Sequence, residues 1–209
     1  MFVALILLTL VVAVADWWAA ATGRTTAERV LKPLTMLVLI AGTLVLPDPS
    51  STAARWLIVA ALCFSLVGDV CLLFESTLFL YGLAAFLVAH IAYAVAMSQL
   101  GLEPVLLVVG LVVVVAASAV VGRRVVAGVR ESDPEMVGPV IAYLAVISGM
   151  VVAAIGTGNP WAVGGALLFY ASDGCIGWNR FVRPLPHRSL VVMSTYHLGQ
   201  IGLVLSLVP

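Results

Sequence analysis

PVLLVVGLVVVVAASAVVG, running from Pro104 to Gly122, holds no charged residue. It is long enough to cross a bilayer as a helix, which takes about 20 mostly apolar residues. Dividing the rest of the chain at its charged and Pro/Gly-rich breaks gives seven more such stretches, near 1–21, 32–47, 54–74, 77–99, 136–156, 160–181 and 188–208. The expected fold is all-α: a polytopic membrane helix bundle of about eight transmembrane helices, with residues 1–209 forming a single integral membrane domain. Composition agrees, since 63% of residues are hydrophobic, 10% are charged and the mean hydropathy is +1.20.

Ten basic and ten acidic residues cancel, so the charge suggests no nucleic-acid partner. Their placement is more informative. With eight spans, Arg24, Arg29, Lys32, Arg123, Arg124, Arg130, Arg180, Arg183 and Arg188 fall in or beside the connections on one side, and only Arg55 falls on the other. The positive-inside rule makes the basic side cytoplasmic and puts both termini on the opposite side. Met1 to Ala21 lacks a basic n-region and carries Asp16, Trp17 and Trp18 where a cleavage site would stand, so it reads as a retained helix. The connections are too short for a soluble domain. The longest, Gly122 to Glu135, reads as a solvated loop in which Asp133 caps the next helix. Cys63, Cys71 and Cys175 form no Cys-x-x-Cys pair and read as buried thiols.

Two aspartates interrupt the apolar runs, in Ser65-Leu66-Val67-Gly68-Asp69-Val70-Cys71 and Phe169-Tyr170-Ala171-Ser172-Asp173-Gly174-Cys175. A carboxylate at membrane depth costs roughly 2.5–3.5 kcal/mol even on lenient insertion scales, so such a residue is retained mainly for function. Aligning Asp69 with Asp173 also aligns Cys71 with Cys175 and, at nearly the same offset, sets Pro33 opposite Pro139. This faint echo suggests a parallel repeat of spans 2–4 and 6–8, with a site between the halves.

Asp16, Asn179, Tyr196, His197 and Gln200 are expected with these aspartates in the cytoplasmic half or near the midplane. Lys32 stands at the cytoplasmic start of span 2. His90 and Tyr93, spaced i, i+3, can face one neighbour, and Tyr196 and Gln200, spaced i, i+4, share a face from which His197 points away. Together these groups are expected to line one cavity open toward the cytoplasm or its leaflet of the bilayer. The chain has no Gly-x-Ser-x-Gly elbow, His-Glu-x-x-His helix or phosphate-binding Gly-Lys-Ser/Thr loop. Gly164-Gly165, Gly174 and Gly177 read as helix-packing positions.

Lys32-Pro33-Leu34, Gly68-Asp69, His90-x-x-Tyr93, Ser172-Asp173 with Asn179-Arg180-Phe181, and Thr195-Tyr196 with Gln200 occur in an order that resembles the YhhN-like lysoplasmalogenases. The resemblance runs from span 2 to span 8. It implies a membrane hydrolase that cleaves the vinyl ether bond of lysoplasmalogens, releasing a fatty aldehyde and glycerophospho-ethanolamine or glycerophospho-choline. One departure is His197, where the family usually has a second aromatic after the tyrosine. The implied partners are a lysophospholipid substrate and the bilayer, with no cofactor. Nine of the ten basic residues are Arg and the chain is rich in Ala, Val and Gly, as in GC-rich bacterial genomes, and the expected location is the bacterial inner (plasma) membrane.

The residues suit that chemistry on physical grounds. Vinyl ether hydrolysis starts with protonation of the alkene carbon and passes through an oxocarbenium ion, to which water adds. One carboxyl group must hold a proton while another is ionised, the division glycosidases use around a similar cation. Two carboxylates close together in an apolar bundle do not easily both ionise. The expected roles are Asp173 as general acid and Asp69 as base and cation stabiliser. Lys32, with Arg180 or Arg183, would hold the lipid phosphate, and His90, Tyr93, Asn179, Tyr196 and Gln200 would orient water or the glycerol backbone. Trp178 and Phe181 read as interface aromatics. Two other classes stay open: a zinc-dependent lipid amidase or esterase using Asp69, Asp173, His90 and His197, and a small proton-coupled transporter built on the same buried carboxylates.

Overall fold

A computed structural model describes the backbone throughout residues 1–209 and all side chains except those of Glu75 and Ser76. The described residues form helices and connections, with no strand. The order is α1 (Phe2–Ala21), α2 (Thr25–Leu44), α3 (Thr52–Leu72), α4 (Glu75–Ser98), α5 (Pro104–Ala117), a π-helical turn (Ser118–Gly122), α6 (Arg123–Ser132), a short 3-10 turn (Pro134–Met136), α7 (Val137–Gly156), α8 (Pro160–Phe181) and α9 (Arg188–Leu205). Among the described residues, five helical runs are long and apolar enough to cross a membrane on their own: 2–21, 52–72, 77–98, 104–132 and 134–156. The remaining long helices, α2, α8 and α9, carry Lys32, Asp173 and the polar group Tyr196, His197 and Gln200.

Local chemistry sets several helix ends. Pro104 and Pro160 stand at the first turns of α5 and α8, where a missing N–H costs nothing. Asn159 Oδ1 accepts from Trp161 N and Ala162 N, and Ser51 Oγ from Ala54 N. At one end of the bundle Ser50 N donates to Leu207 O (2.9 Å), Glu103 N to Gly156 O (2.8 Å) and Asn159 Nδ2 to Ser206 O (3.3 Å). Connections 45–51, 99–103 and 157–159 therefore gather there with residues 206–209. At the other end Arg180 lies 3.8 Å over the Phe79 ring, and Phe79 stacks edge-on with Phe181.

Three expectations change. The charged segment after Gly122 is not a loop. It continues helically through the π turn into α6, because Val125 and Val129, spaced i, i+4, bury against Val140 while the arginines face outward. Asp133 makes no side-chain cap bond there. Second, α2 starts at Thr25, seven residues before Lys32, so Lys32 lies inside the bundle, next to Pro33, and not at its edge. Third, none of the cysteines is buried: Cys63 is exposed, and Cys71 and Cys175 are half-buried.

A tight backbone contact joins α8 and α9. A Cβ on Gly165 would lie 2.7 Å from Leu203 N and 2.8 Å from Gly199 O, and one on Gly202 would lie 2.8 Å from Gly165 Cα. Small residues let these backbones touch, as they do in membrane helix pairs. Gly164 and Gly174, by contrast, face open space. The contact brings Phe169 of α8 against Tyr196 of α9.

Candidate active site

A buried carboxylate, Asp69, and a half-buried one, Asp173, each have their own partners inside the bundle. Asp69 on α3 is ion-paired with Lys32 of α2, Nζ to Oδ1 at 3.1 Å, and accepts a hydrogen bond from the Tyr196 hydroxyl of α9 at 2.6 Å. The Lys32 and Asp69 side chains are only 6% and 2% exposed. Met36 Sδ lies 3.5 Å from the same hydroxyl. Asp173 on α8 meets His90 of α4, Nε2 to Oδ2 at 3.1 Å, and accepts from the Tyr143 hydroxyl of α7. That hydroxyl is also 2.9 Å from His90 Nε2, so three polar groups converge on one point.

Phe169 joins the two clusters. Its ring packs edge-on against His90 at 4.7 Å and Tyr196 at 5.2 Å, one from each cluster, and it is fully buried. Asp69 and Asp173 are close enough to act on each other electrostatically. Asp69 is not among the residues lining the two cavities onto which Asp173 opens. Asp69 is covered by Lys32 and Tyr196. Asp173 opens onto a cavity of about 60 Å³ between α4, α6, α7 and α8, lined by Leu83, Phe86, Val125 and Tyr143, and onto a second of about 40 Å³ beside Tyr170.

The other residues singled out in the sequence fall at graded distances from this centre. Tyr93 donates to Gln200 Oε1, and both are fully buried. Tyr93 also packs on Phe169, so the expected common neighbour of His90 and Tyr93 is that ring, while their hydrogen bonds diverge. His197 points to α1, where its Nδ1 accepts from Trp17 Nε1 at 3.1 Å. Asn179 Oδ1 accepts from Leu185 N and shapes the turn after α8. Arg180 sits over Phe79 and Phe181, two of the residues that line the Asp173 cavity. Arg124 lies 5.5 Å over the Trp178 ring. Lys32 is engaged by Asp69 instead of standing at the interface. Among the described residues no three His, Cys, Asp or Glu side chains gather within reach of one metal ion.

Sequence reading alone misses Tyr143. The signal is its place between Val140 and Ile147, at i, i+3 and i, i+4 spacing on the buried face of α7, where a hydroxyl must find a partner. Asp16 stands out in the sequence without a role. It is fully buried on α1, both its oxygens lack a hydrogen-bond partner among the described residues, and it lies within electrostatic reach of Lys32 and Asp69.

Comparison with known proteins agrees with the motif reading. The model of the YhhN family matches residues 27–207. The chain is similar to lysoplasmalogenase TMEM86B of Homo sapiens, 37% identical over 167 residues, which are 80% of this chain and 70% of that protein. TMEM86B of Mus musculus is also 37% identical, over 78% of this chain and 66% of its own length. Lysoplasmalogenase TMEM86A of Homo sapiens is 32% identical over 78% of this chain and 68% of its own length. No solved structure matches significantly.

Proposed function

The chain belongs to the YhhN family, and on that premise we propose that it is a membrane lysoplasmalogenase, cleaving the vinyl ether bond of a lysoplasmalogen to a fatty aldehyde and glycerophospho-ethanolamine or glycerophospho-choline. The relatives named lysoplasmalogenase support an ether hydrolase acting on a lysophospholipid. The observation that carries the chemistry is a pair of membrane-depth carboxylates linked through Phe169, one ion-paired and covered, the other facing an apolar cavity.

Asp173 acts as the acid, sharing its proton with His90 and Tyr143. The proton goes to the alkene carbon of the vinyl ether and leaves an oxocarbenium ion. Its positive charge falls in the field of Asp69 and of the newly formed Asp173 carboxylate, fixed dipoles and charges that need no reorganisation. Water adds to the cation and returns a proton to Asp173. The hemiacetal then separates into aldehyde and glycerol hydroxyl, the hemiacetal proton passing to the glycerol oxygen, so atoms and charge balance with water as the only co-reactant. Lys32 and Tyr196 hold Asp69 in place, and Tyr93 and Gln200 brace α4 against α9 beside it. Arg180, over the aromatic pair that lines the cavity, lies where a lipid phosphate would sit, and Asn179 fixes the adjoining turn.

Eight crossings complete the reading, with the basic connections cytoplasmic and both termini opposite. The gathering of connections 45–51, 99–103 and 157–159 with the C-terminal residues supports it. The parallel repeat finds support in a crosswise exchange: Asp69 of α3 is held by Tyr196 of α9, and Asp173 of α8 by His90 of α4. Purified protein given lysoplasmenyl-ethanolamine, with and without chelator, tests the function. Aldehyde seen by mass spectrometry and lost in Asp173→Asn is expected. A folded wild type that makes none would overturn the reading.

A further inference from the structure

The bundle has a second, outer depression, and it nearly meets the inner site. A groove of about 460 Å³ lies between α5, the π turn and α7, lined by Val114, Ser118, Gly122, Arg123, Leu144 and Ser148. The inner cavity beside Asp173 is lined by Gly122 and Leu144 as well, so these two residues form the wall between them. The remaining partition is polar: the Tyr170 hydroxyl, on the inner side, lies 3.4 Å from Ser118 Oγ and 3.3 Å from Ser148 Oγ on the groove side. A π turn makes this wall possible, because Ser118–Gly122 widens the helix where it passes the cavity, as such turns do at functional sites.

We propose that this groove is a lateral entrance from the bilayer, in which a single-chain lysophospholipid lies before its ether end passes Leu144 to reach Asp173. The proposal rests on the lysoplasmalogenase reading. The occupant follows from size, polarity and charge. The inner cavities, about 60 and 40 Å³, take only a few water-sized groups. The alkenyl chain needs the outer groove, whose volume is in the usual range for small-molecule sites, roughly 300–1,000 Å³, and which is open along its lipid side for the rest of the chain. Its flanks face lipid, with Val115 57% and Ile141 44% exposed. Arg123 supplies a cation for the phosphate while the lipid lies in the groove, before the head group reaches Arg180 at the reaction site. From Arg123 the groove runs about 13 Å to Val114 at about 1.5 Å per residue, parallel to a bilayer chain.

Leu144 is thus a positioning residue opposite a glycine. A Cβ on Gly122 would sit 4.0 Å from Leu144 Cδ1 and 3.4 Å from Ser118 Cβ, so small side chains fit there and large ones would close the passage. Ala145, exposed on the groove wall, offers a site for blockage away from the inner cavity.

The test compares wild type, Ala145→Trp and Gly122→Leu on a long-chain lysoplasmenyl-ethanolamine and on a short-chain, water-soluble vinyl ether analogue. In both variants the long-chain to short-chain ratio of kcat/KM is expected to fall about tenfold, chiefly through KM for the long-chain lipid. An active protein whose ratio does not move in either variant would overturn the entrance. A second arm needs no turnover: a long-chain lysophosphatidylethanolamine with a diazirine in its tail is photolysed with the wild type. Label on residues 112–126 or 141–148, diminished in Ala145→Trp, is the expected result, and label confined to other helices would overturn it. If the wild type cleaves neither vinyl ether, the functional reading fails, and the labelling result still decides the groove.

Discussion

Replacing Lys32 with methionine strands the Asp69 carboxylate in a site that offers it little else. Its Oδ1 loses an ammonium at 3.1 Å, and the side chain is 2% exposed, so solvent cannot take the place of the lost cation. Tyr196 still donates to Oδ2. Breaking a buried pair on one side costs about 3–5 kcal/mol, whereas removing both charges together costs far less. Lys32→Met and Asp69→Asn are therefore each expected to lose about 3–5 kcal/mol of unfolding free energy. The double variant should recover at least about 2 kcal/mol relative to their sum, the coupling of residues in direct contact. Asparagine is the right partner because its carbonyl can still accept from Tyr196. The assay is denaturant or SDS unfolding of the four proteins in one detergent. Single losses below about 1 kcal/mol, the range of exposed pairs, or simple additivity would refute a buried, mutually dependent Lys32–Asp69 pair.

Other perturbations probe the neighbouring links. Tyr143→Phe removes a hydroxyl shared by Asp173 and His90; a hydrogen bond to a charged group is worth about 1.5–3 kcal/mol, so kcat for aldehyde release should drop roughly 10- to 100-fold with the fold retained by circular dichroism. His90→Ala should cost about 100-fold or more in kcat if the imidazole shares the transferred proton, and single-turnover measurements would separate this from slow product release. Gly165→Ala drives a methyl into the α9 backbone and is expected to cost about 1–3 kcal/mol in unfolding measurements while leaving the polar groups chemically intact. His197→Phe removes only the acceptor of Trp17, so a loss of about 1 kcal/mol and turnover within a few-fold of wild type are expected in the same assays.

Where a helix carries an uninterrupted apolar run, hydropathy locates it to within a few residues, as at α5 and α7. It fails at α6 and at the start of α2, where Arg123, Arg124, Glu28 and Arg29 dilute the signal although one face still packs inward. The aspartates are legible because a carboxylate in apolar sequence has few structural explanations. Their partners are less so. Lys32 reads as interfacial only while α2 is taken to begin beside it, and Tyr143 is hidden because a tyrosine in an apolar run looks like packing. Pairing across the bundle, Asp69 with α9 and Asp173 with α4, depends on the glycine contact between α8 and α9, and no one helix encodes that contact alone.

The most direct test of the proposed reaction is hydrolysis of lysoplasmenyl-ethanolamine in D₂O, with the aldehyde trapped at once and analysed by mass spectrometry. Protonation at the alkene carbon predicts one deuterium on the carbon next to the aldehyde in the wild type, and no enzymatic aldehyde from Asp173→Asn. Aldehyde free of that deuterium, or unchanged turnover in Asp173→Asn, would contradict carbon protonation by Asp173.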